Sequence, residues 1–364
     1  MSAASDLQTI SRQFAIFGEF LGAEPYGSGH INDTYCARYD QGGTLVRYVH
    51  QRINDKIFKN PEALMDNIRR VTEHLRQRLG AAGAAEPTRR ALTLIPARDG
   101  RPYYRDGDGH CWRTYVFIER ARTYDTVQTP QQAFEAARAF GRFQQLLADL
   151  PAPRLHDTIP DFHSTPKRFA ALEGAIAADA VDRARLARLE IEFAMRRQPL
   201  TRALIGAGLT ERITHNDTKV NNVMLDDATG EGVCVIDLDT VMPGLALYDF
   251  GDMVRTATSP AAEDERDVSK VRMQIEMFEA LVRGYLESAG AVLTPAEKSL
   301  LAVAGKVITF EIGIRFLADF LAGDVYFKTR CDDHNLIRCR TQFKLIESIE
   351  AQEDAMARCV ARAG

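Results

Sequence analysis

Residues 215–239 constrain the fold more tightly than any other stretch of the chain. They read His-Asn-Asp-Thr-Lys-Val-Asn-Asn-Val-Met-Leu-Asp-Asp-Ala-Thr-Gly-Glu-Gly-Val-Cys-Val-Ile-Asp-Leu-Asp. Residues 223–225 and 233–236 are aliphatic runs of strand length, and 226–232 is rich in turn formers. The pattern predicts a β-hairpin with Asp217 and Asn222 on the loop entering it and Asp237 and Asp239 at its exit. A single aspartate in such a place is more often a turn or cap residue. Carboxylates and an amide gathered by one hairpin can also hold Mg²⁺, a hard ion that prefers oxygen ligands.

Upstream of the hairpin the chain alternates strand-like runs with turns; downstream of residue 121 it turns mostly helical. The helical spacing of Leu7, Ile10, Phe14, Phe17 and Leu21 predicts a helix over 6–22. Gly27-Ser28-Gly29 then precedes a strand, and the two glycines suit a turn whose backbone approaches a phosphate closely. The turn is equally at home in a plain hairpin, and His30 and Asn32 either reach a ligand or cap it. Residues 44–50, 92–95 and 112–118 read as further strands. Asn60-Pro61 predicts a helix start, with Leu64, Ile68, Val71, Leu75 and Leu79 as its buried stripe. Helices are also expected over 130–150, 180–208, 271–289 and 333–362. Thr294-Pro295-Ala296-Glu297 is a capping box that opens a long helix ending near Gly323.

Composition excludes several classes. At 364 residues the chain can build two cores, and 45% apolar residues without a low-complexity tract is globular usage. A net charge of −4 with no Lys/Arg block argues against a nucleic-acid partner. The six cysteines are scattered, with no Cys-x-x-Cys, and read as reduced thiols. No basic segment followed by an apolar one opens the sequence, and no apolar run is long enough for a bilayer. A soluble, cytoplasmic, monomeric protein is expected.

His215-x-Asp217-x-Lys219-x-x-Asn222 followed by Ile236-Asp237 resembles the catalytic loop and metal-binding aspartate of the protein-kinase-like superfamily. The form is most similar to the aminoglycoside phosphotransferase and choline kinase branch. Narrower still, His215 to Lys219 and Val235 to Gly244 resemble the N-acetylhexosamine 1-kinases, and the similarity runs from Gly27 to Asp319. The resemblance implies an α+β, two-lobed fold: a small antiparallel-sheet lobe over 1–120 and a mostly helical lobe over 121–364. It implies ATP and Mg²⁺ as cofactors and a small-molecule sugar as acceptor. Gly27, Ser28, Gly29, His30 and Asn32 then cover the nucleotide, and Ile118 lies in a hinge that binds adenine through backbone groups. The strand ending at Arg52 would supply the cation for the phosphates. Strict register gives Gln51, but a cation suits phosphate better than an amide, so Arg52 is favoured. Glu62, Asp66 and Glu73 are candidate partners for it.

Asp217 is then the base that accepts the acceptor's proton and orients its oxygen. Asn222 and Asp237 are metal ligands, with Asp239 a possible second-metal ligand, and Lys219 neutralises the transferring phosphoryl group. His215 is expected to buttress the loop. Asp249-Phe250-Gly251 spells a metal-binding tripeptide, but it lies too far beyond Asn222 and reads as a structural turn. Glu311, Arg315 and Asp319 form a charged row on an apolar helix and are expected to line a cleft; a buried Glu–Arg structural pair would give the same pattern. Arg315 is the candidate for the sugar or its 1-phosphate, with Tyr326 and Asp324 nearby. The leading reading is a kinase for the anomeric hydroxyl of an N-acetylhexosamine. Its alternatives are a kinase for another sugar, an amino alcohol or an aminoglycoside, or a nucleotide-binding pseudokinase. The acidic run 263–265 is the one hint of a cationic acceptor.

Overall fold

The computed structural model describes residues 3–27, 31–205 and 208–363. In chain order the elements are α1 (Ala3–Ser11), β1 (Glu19–Pro25), β2 (Asp33–Asp40), β3 (Leu45–Arg52), α2 (Pro61–Ala81), α3 (Pro87–Arg90), β4 (Leu94–Ile95), β5 (Tyr104–Arg105) and β6 (Cys111–Val116). They continue with β7 (Ala121–Arg122), α4 (Pro130–Leu147), α5 (Thr165–Ala178), α6 (Arg188–Arg196), β8 (Glu211–Thr214), β9 (Val223–Asp226), β10 (Gly232–Val235) and β11 (Met242–Leu245). The remainder is helical: α7 (Ala246–Ala257), α8 (Ile275–Ala289), α9 (Pro295–Ser299), α10 (Leu301–Leu321), α11 (His334–Glu350) and α12 (Glu353–Ala363).

These elements form two compact units. The first comprises residues 1–121, 149–160 and 233–242; the second comprises 122–148, 161–232 and 243–364. The expected boundary near residue 120 therefore omits two later segments that return to the first unit. Asn67 on α2 explains their attachment. Fully buried, it donates to the carbonyls of His156 (2.8 Å) and Val241 (3.2 Å) and accepts from His156 N (2.9 Å).

The first unit is built on an antiparallel sheet in the order β1-β2-β3-β6-β4, with β5 also on β6. Its register sets Thr34 opposite Gln51, and Gln51 opposite Arg113. Leu7, Ile10, Phe14, Tyr39, Tyr48 and Trp112 fill one face. The helix expected over 6–22 stops at Ser11, beyond which Ala15 N bonds to Pro96 O, and 19–25 is a strand entered through Gly18, whose φ of +98° would set a Cβ 2.3 Å from Asp40 O. Phe17 and Leu21 accordingly leave the buried stripe and are exposed. Helix α2 forms as predicted: Asn60 Oδ1 accepts from Ala63 N at 3.1 Å, Pro61 occupies the first turn, and Leu64, Ile68, Val71, Leu75 and Leu79 are buried.

The second unit is helical. α4 packs on α8, and α10 runs against α5, α7 and α11 around Phe169, Leu172, Phe310, Ile314, Leu317 and Phe343. The capping box at Thr294 forms, but the helix it opens breaks at Leu300, so α9 and α10 are separate. Likewise the stretches 180–208 and 333–362 are each shorter helices divided by turns. No helix among the described residues is long and apolar enough to cross a membrane.

Candidate active site

In the second unit, β8 leads straight into the loop that carries the expected base. Asp217 and Lys219 form an ion pair at 3.0 Å, with side chains 20% and 43% exposed. Asn222, in a short turn of 3₁₀ helix before β9, donates its Nδ2 to the Asp217 carbonyl (2.8 Å) and to Oδ2 (3.2 Å). The amide oxygen is thus the atom left for a ligand. Burial raises the Asp217 carboxyl, but Lys219, His215 and Arg255 outweigh it and hold the group below the ordinary aspartate range. Lys219 is raised in turn, first by Asp217.

The loop is held from several sides. The His215 ring is buried edge-on against Phe140 and Phe143, and its Nδ1 accepts from Asp217 N at 3.3 Å. This is the buttress expected of it. Asn216 adopts φ +65°, a strained conformation for a residue with a side chain. Gly244 lies so close that a Cβ there would meet Thr214 Oγ1 at 2.4 Å and Asn216 Oδ1 at 3.0 Å. Asp249, read from sequence as a structural turn residue, lies inside α7 and does not cap it. Its Oδ1 accepts from Asn216 N (2.7 Å), and its Oδ2 from His215 N (3.0 Å) and Gln144 Nε2 (2.6 Å). Burial lifts its pKa above the usual value, opposed by His215 and these donors. The tripeptide is a clamp on the loop, which its spacing gave no sign of.

A second cluster lies in the first unit and centres on Arg113 of β6. Its guanidinium pairs with Asp239 Oδ1, and its Nε donates to Gln51 Oε1 at 2.9 Å. Both members of the ion pair are sealed, 1% and 4% exposed. Asn32 Nδ2 reaches Asp239 Oδ2 at 2.6 Å, while its Oδ1 accepts from Asn54 N at 3.0 Å. Thr158 Oγ1 donates to the Asp239 carbonyl at 2.8 Å. Burial disfavours the Arg113 charge, yet Asp239 and Tyr115 raise its pKa.

This arrangement corrects two expectations. Arg52 does not point inward: it pairs with Asp33 at 2.5 Å, with side chains 41% and 51% exposed. On a strand, neighbours face opposite sides, so inward-facing Gln51 leaves Arg52 outside. The inward cation is Arg113, one strand over in register. Nor is Asp239 an open metal ligand, since both its carboxylate oxygens are engaged. The candidate partners on α2 go elsewhere: Asp66 and Glu73 to Arg69, and Glu62 to Arg105 at 3.6 Å. Sequence reading passed over Arg113. The signal was an arginine in the middle of the buried run Cys111–Val116, where an unpaired charge would be very costly.

The other expected residues are dispersed. Gly27 is described at φ +84°; Ser28, Gly29 and His30 lie outside the described residues. Ile118 is buried, and the carbonyls of Glu119 and Arg120 beside it accept from Arg89. Asp237, also in the first unit, takes a left-handed φ of +58° at the end of β10. In the second unit the row on α10 divides. Glu311 is fully buried and bonded to His163 and Thr165. Asp319 caps the turn by accepting from Tyr326 N and Phe327 N. Arg315 is half-buried, its guanidinium 5.2 Å from the Phe162 ring and 5.7 Å from that of Phe327. Asp324 is occupied by Arg183 at 2.5 Å, and the Tyr326 side chain is exposed beside Phe327. No group of three or more His, Cys, Asp or Glu side chains among the described residues is placed to hold a metal.

The model of a phosphotransferase enzyme family matches residues 22–290. Among solved structures, a microcompartment-associated aminopropanol kinase is 16% identical with a TM-score of 0.58, covering 97% of this chain and 98% of its own. A spectinomycin phosphotransferase in complex with ADP and its antibiotic is 11% identical, TM-score 0.60, covering 97% and 99%. A choline kinase from Cryptosporidium parvum is 14% identical, TM-score 0.53, covering 93% and 92%. Identities this low show the fold alone: kinase-like, with an antiparallel sheet in the N-terminal region and a helical C-terminal region.

Proposed function

The chain belongs to the phosphotransferase enzyme family, and from that premise we propose that it transfers the γ-phosphoryl group of ATP to the anomeric hydroxyl of an N-acetylhexosamine. ATP is supported by the ADP-bound relative. Asp217 accepts the hydroxyl proton as the oxygen attacks phosphorus; the bond from phosphorus to the ADP oxygen breaks, and ADP leaves. A carboxylate held below its usual range is a weak base, so its larger contribution is to orient the nucleophile. Lys219 offsets charge on the transferring group. Mg²⁺ would supply charge neutralisation at the phosphates, and the oxygens of Asn222 and Asp237 have the hard-donor chemistry it prefers. The nucleotide loop of the first unit is assigned to Gly27 through Asn32, its end tied to Asp239, with Ile118 at the hinge.

The observation that carries the acceptor class is the charge around Arg315. Its guanidinium lies 5.2 and 5.7 Å from two aromatic ring centroids, and the charge of Arg168 lies close enough to bear on it. Arg168, which donates to the Phe162 carbonyl, is lowered by burial and then by Arg315. Two half-buried cations with aromatic walls favour a neutral, oxygen-rich acceptor whose product is an anionic phosphate, and disfavour an ammonium. The acidic run does not offset them: Glu263 pairs with Arg255 at 2.9 Å and Asp264 with His334 at 3.1 Å. An amino alcohol or aminoglycoside is the second reading, favoured by the substrates in the relatives' names.

The test is incubation with ATP, Mg²⁺ and a panel of N-acetylhexosamines, other sugars, amino alcohols and aminoglycosides, with ³¹P NMR locating the phosphate. A 1-phosphate on N-acetylglucosamine or N-acetylgalactosamine is expected. Phosphate found on amine acceptors alone overturns the proposal.

A further inference from the structure

The second unit holds a buried histidine that the phosphoryl-transfer reading does not use. The His163 side chain is 3% exposed, and its Nδ1 lies 2.8 Å from Glu311 Oε1. Its Nε2 lies 2.9 Å from the carbonyl oxygen of Asn216. A carboxylate and a carbonyl both accept, and a neutral imidazole has only one N–H to give. Burial raises the Glu311 carboxyl, but His163, Arg315 and Thr165 hold it below its ordinary range, so it is the ionised, accepting form. Two contacts of this length to two acceptors then call for the doubly protonated ring. Glu311, fully buried, is the counter-charge, and its other oxygen accepts from Thr165 Oγ1 at 2.6 Å.

His50 in the first unit serves as an internal control. It is equally buried, but its ring faces two hydroxyls, Thr114 Oγ1 at 2.7 Å and Tyr39 Oη at 3.2 Å. Hydroxyls can donate or accept, so a neutral ring is satisfied there, and burial pushes its pKa down to about 4. At His163 burial also works against the charge. Glu311, the Asn216 carbonyl and Asp252 outweigh it, and the pKa is raised. The groups facing the ring are Glu311 on α10, and Tyr248 and Asp252 on α7, with the Tyr248 ring centroid 5.1 Å away. Arg315 on α10 acts on Glu311, and Arg168 on α5 touches the neighbouring Phe162 carbonyl. On the loop itself the charged groups are Asp217 and Lys219, with His215 beside them.

The carbonyl that His163 grips belongs to the peptide bond carrying Asp217. The amide of that same strained residue, Asn216, is held by Asp249. We propose that His163 is a positioning residue which, through the Asn216 carbonyl, sets the peptide that presents Asp217, so that turnover depends on its proton. The inference rests on Asp217 being the base of the proposed reaction. Loss of the proton sets a lone pair against an oxygen. Because the folded pKa is raised, the contact is intact at lower pH and is lost as pH rises through it.

The first arm of the test uses the full chain with no substrate. ¹⁵N NMR at neutral pH should find two N–H groups on the His163 ring and one on His50. A singly protonated His163 overturns the proposal. The second arm measures turnover of ATP with N-acetylglucosamine. His163→Gln should lower kcat by about tenfold to a hundredfold while KM for ATP holds, the scale of a small displacement of a reacting group. Glu311→Gln preserves shape and an acceptor oxygen but removes the counter-charge. It should shift the alkaline limb of kcat down by about one pH unit or more. A folded Glu311→Gln enzyme with the wild-type limb contradicts the proposal. If the wild type does not turn over the sugar, the acceptor assignment has failed instead, and the NMR arm decides the role of His163 alone.

Discussion

Two ion pairs, one in each unit, put the same chemistry to opposite use. Arg113–Asp239 is sealed at 1% and 4% exposure, with both carboxylate oxygens engaged. Asp217–Lys219 is open at 20% and 43%, its lysine on a flexible stem. A sealed pair gains little net stability from its own attraction, because desolvation cancels much of it, yet breaking it strands a buried charge. An open pair can exchange partners at little cost, as a proton acceptor and a mobile cation must. The sealed pair suits a positioning role, and the open one suits the reacting role proposed for Asp217 and Lys219.

The largest expected effect falls on the open pair. Asp217→Asn should cut turnover by about 10³-fold, within the usual range for a general base, with ATP affinity retained in a binding assay. Near wild-type turnover would remove the base from the account. Next comes the sealed pair. Arg113→Met leaves Asp239 buried without its partner and should cost about 3–5 kcal/mol in chemical denaturation, part of it recovered in the Arg113→Met/Asp239→Asn double variant. A loss no larger than that of a surface substitution would show that the pair is not sealed in solution. Lys219→Met tests the open pair by pH. The folded Asp217 carboxyl is depressed mainly by Lys219, so the acid limb of kcat/KM lies below the ordinary aspartate range and moves up when the lysine is removed. An unmoved limb would separate the two residues. Arg52→Ala should do least. Its pair with Asp33 is exposed, and the expected cost is under about 1 kcal/mol with KM for ATP little changed. A marked rise in that KM would restore the strand-end cation and weaken the case for Arg113.

The sequence made some of this legible and concealed the rest for identifiable reasons. Asp217, Lys219 and Asn222 were readable because they sit within six residues on one loop, and local spacing fixes their meeting. The Asn60 cap and the Thr294 box are local signals too, and both form. Arg113 was hidden because it meets Gln51 through sheet register, and Asp239 through a segment that rejoins the first unit from more than a hundred residues away. Periodicity misled at Phe17 and Leu21, which lie past the helix end at Ser11, Phe17 just before the chain's turn at Gly18 and Leu21 on the strand after it. At Glu311 the charged row fitted a cleft lining and a buried pair alike; the residue is fully buried, and its partner is His163, 148 residues away and outside any local pattern.

The most direct test of the division between the two pairs is to record turnover and the thermal midpoint on the same preparations of Asp217→Asn and Asp239→Asn. Asp217→Asn is expected to keep its midpoint and lose turnover. Asp239→Asn is expected to lose several degrees, because it strands the buried Arg113 charge at a cost of about 3 kcal/mol or more. An Asp239→Asn protein with unchanged midpoint, or an Asp217→Asn protein that unfolds early yet still turns over, would contradict that division.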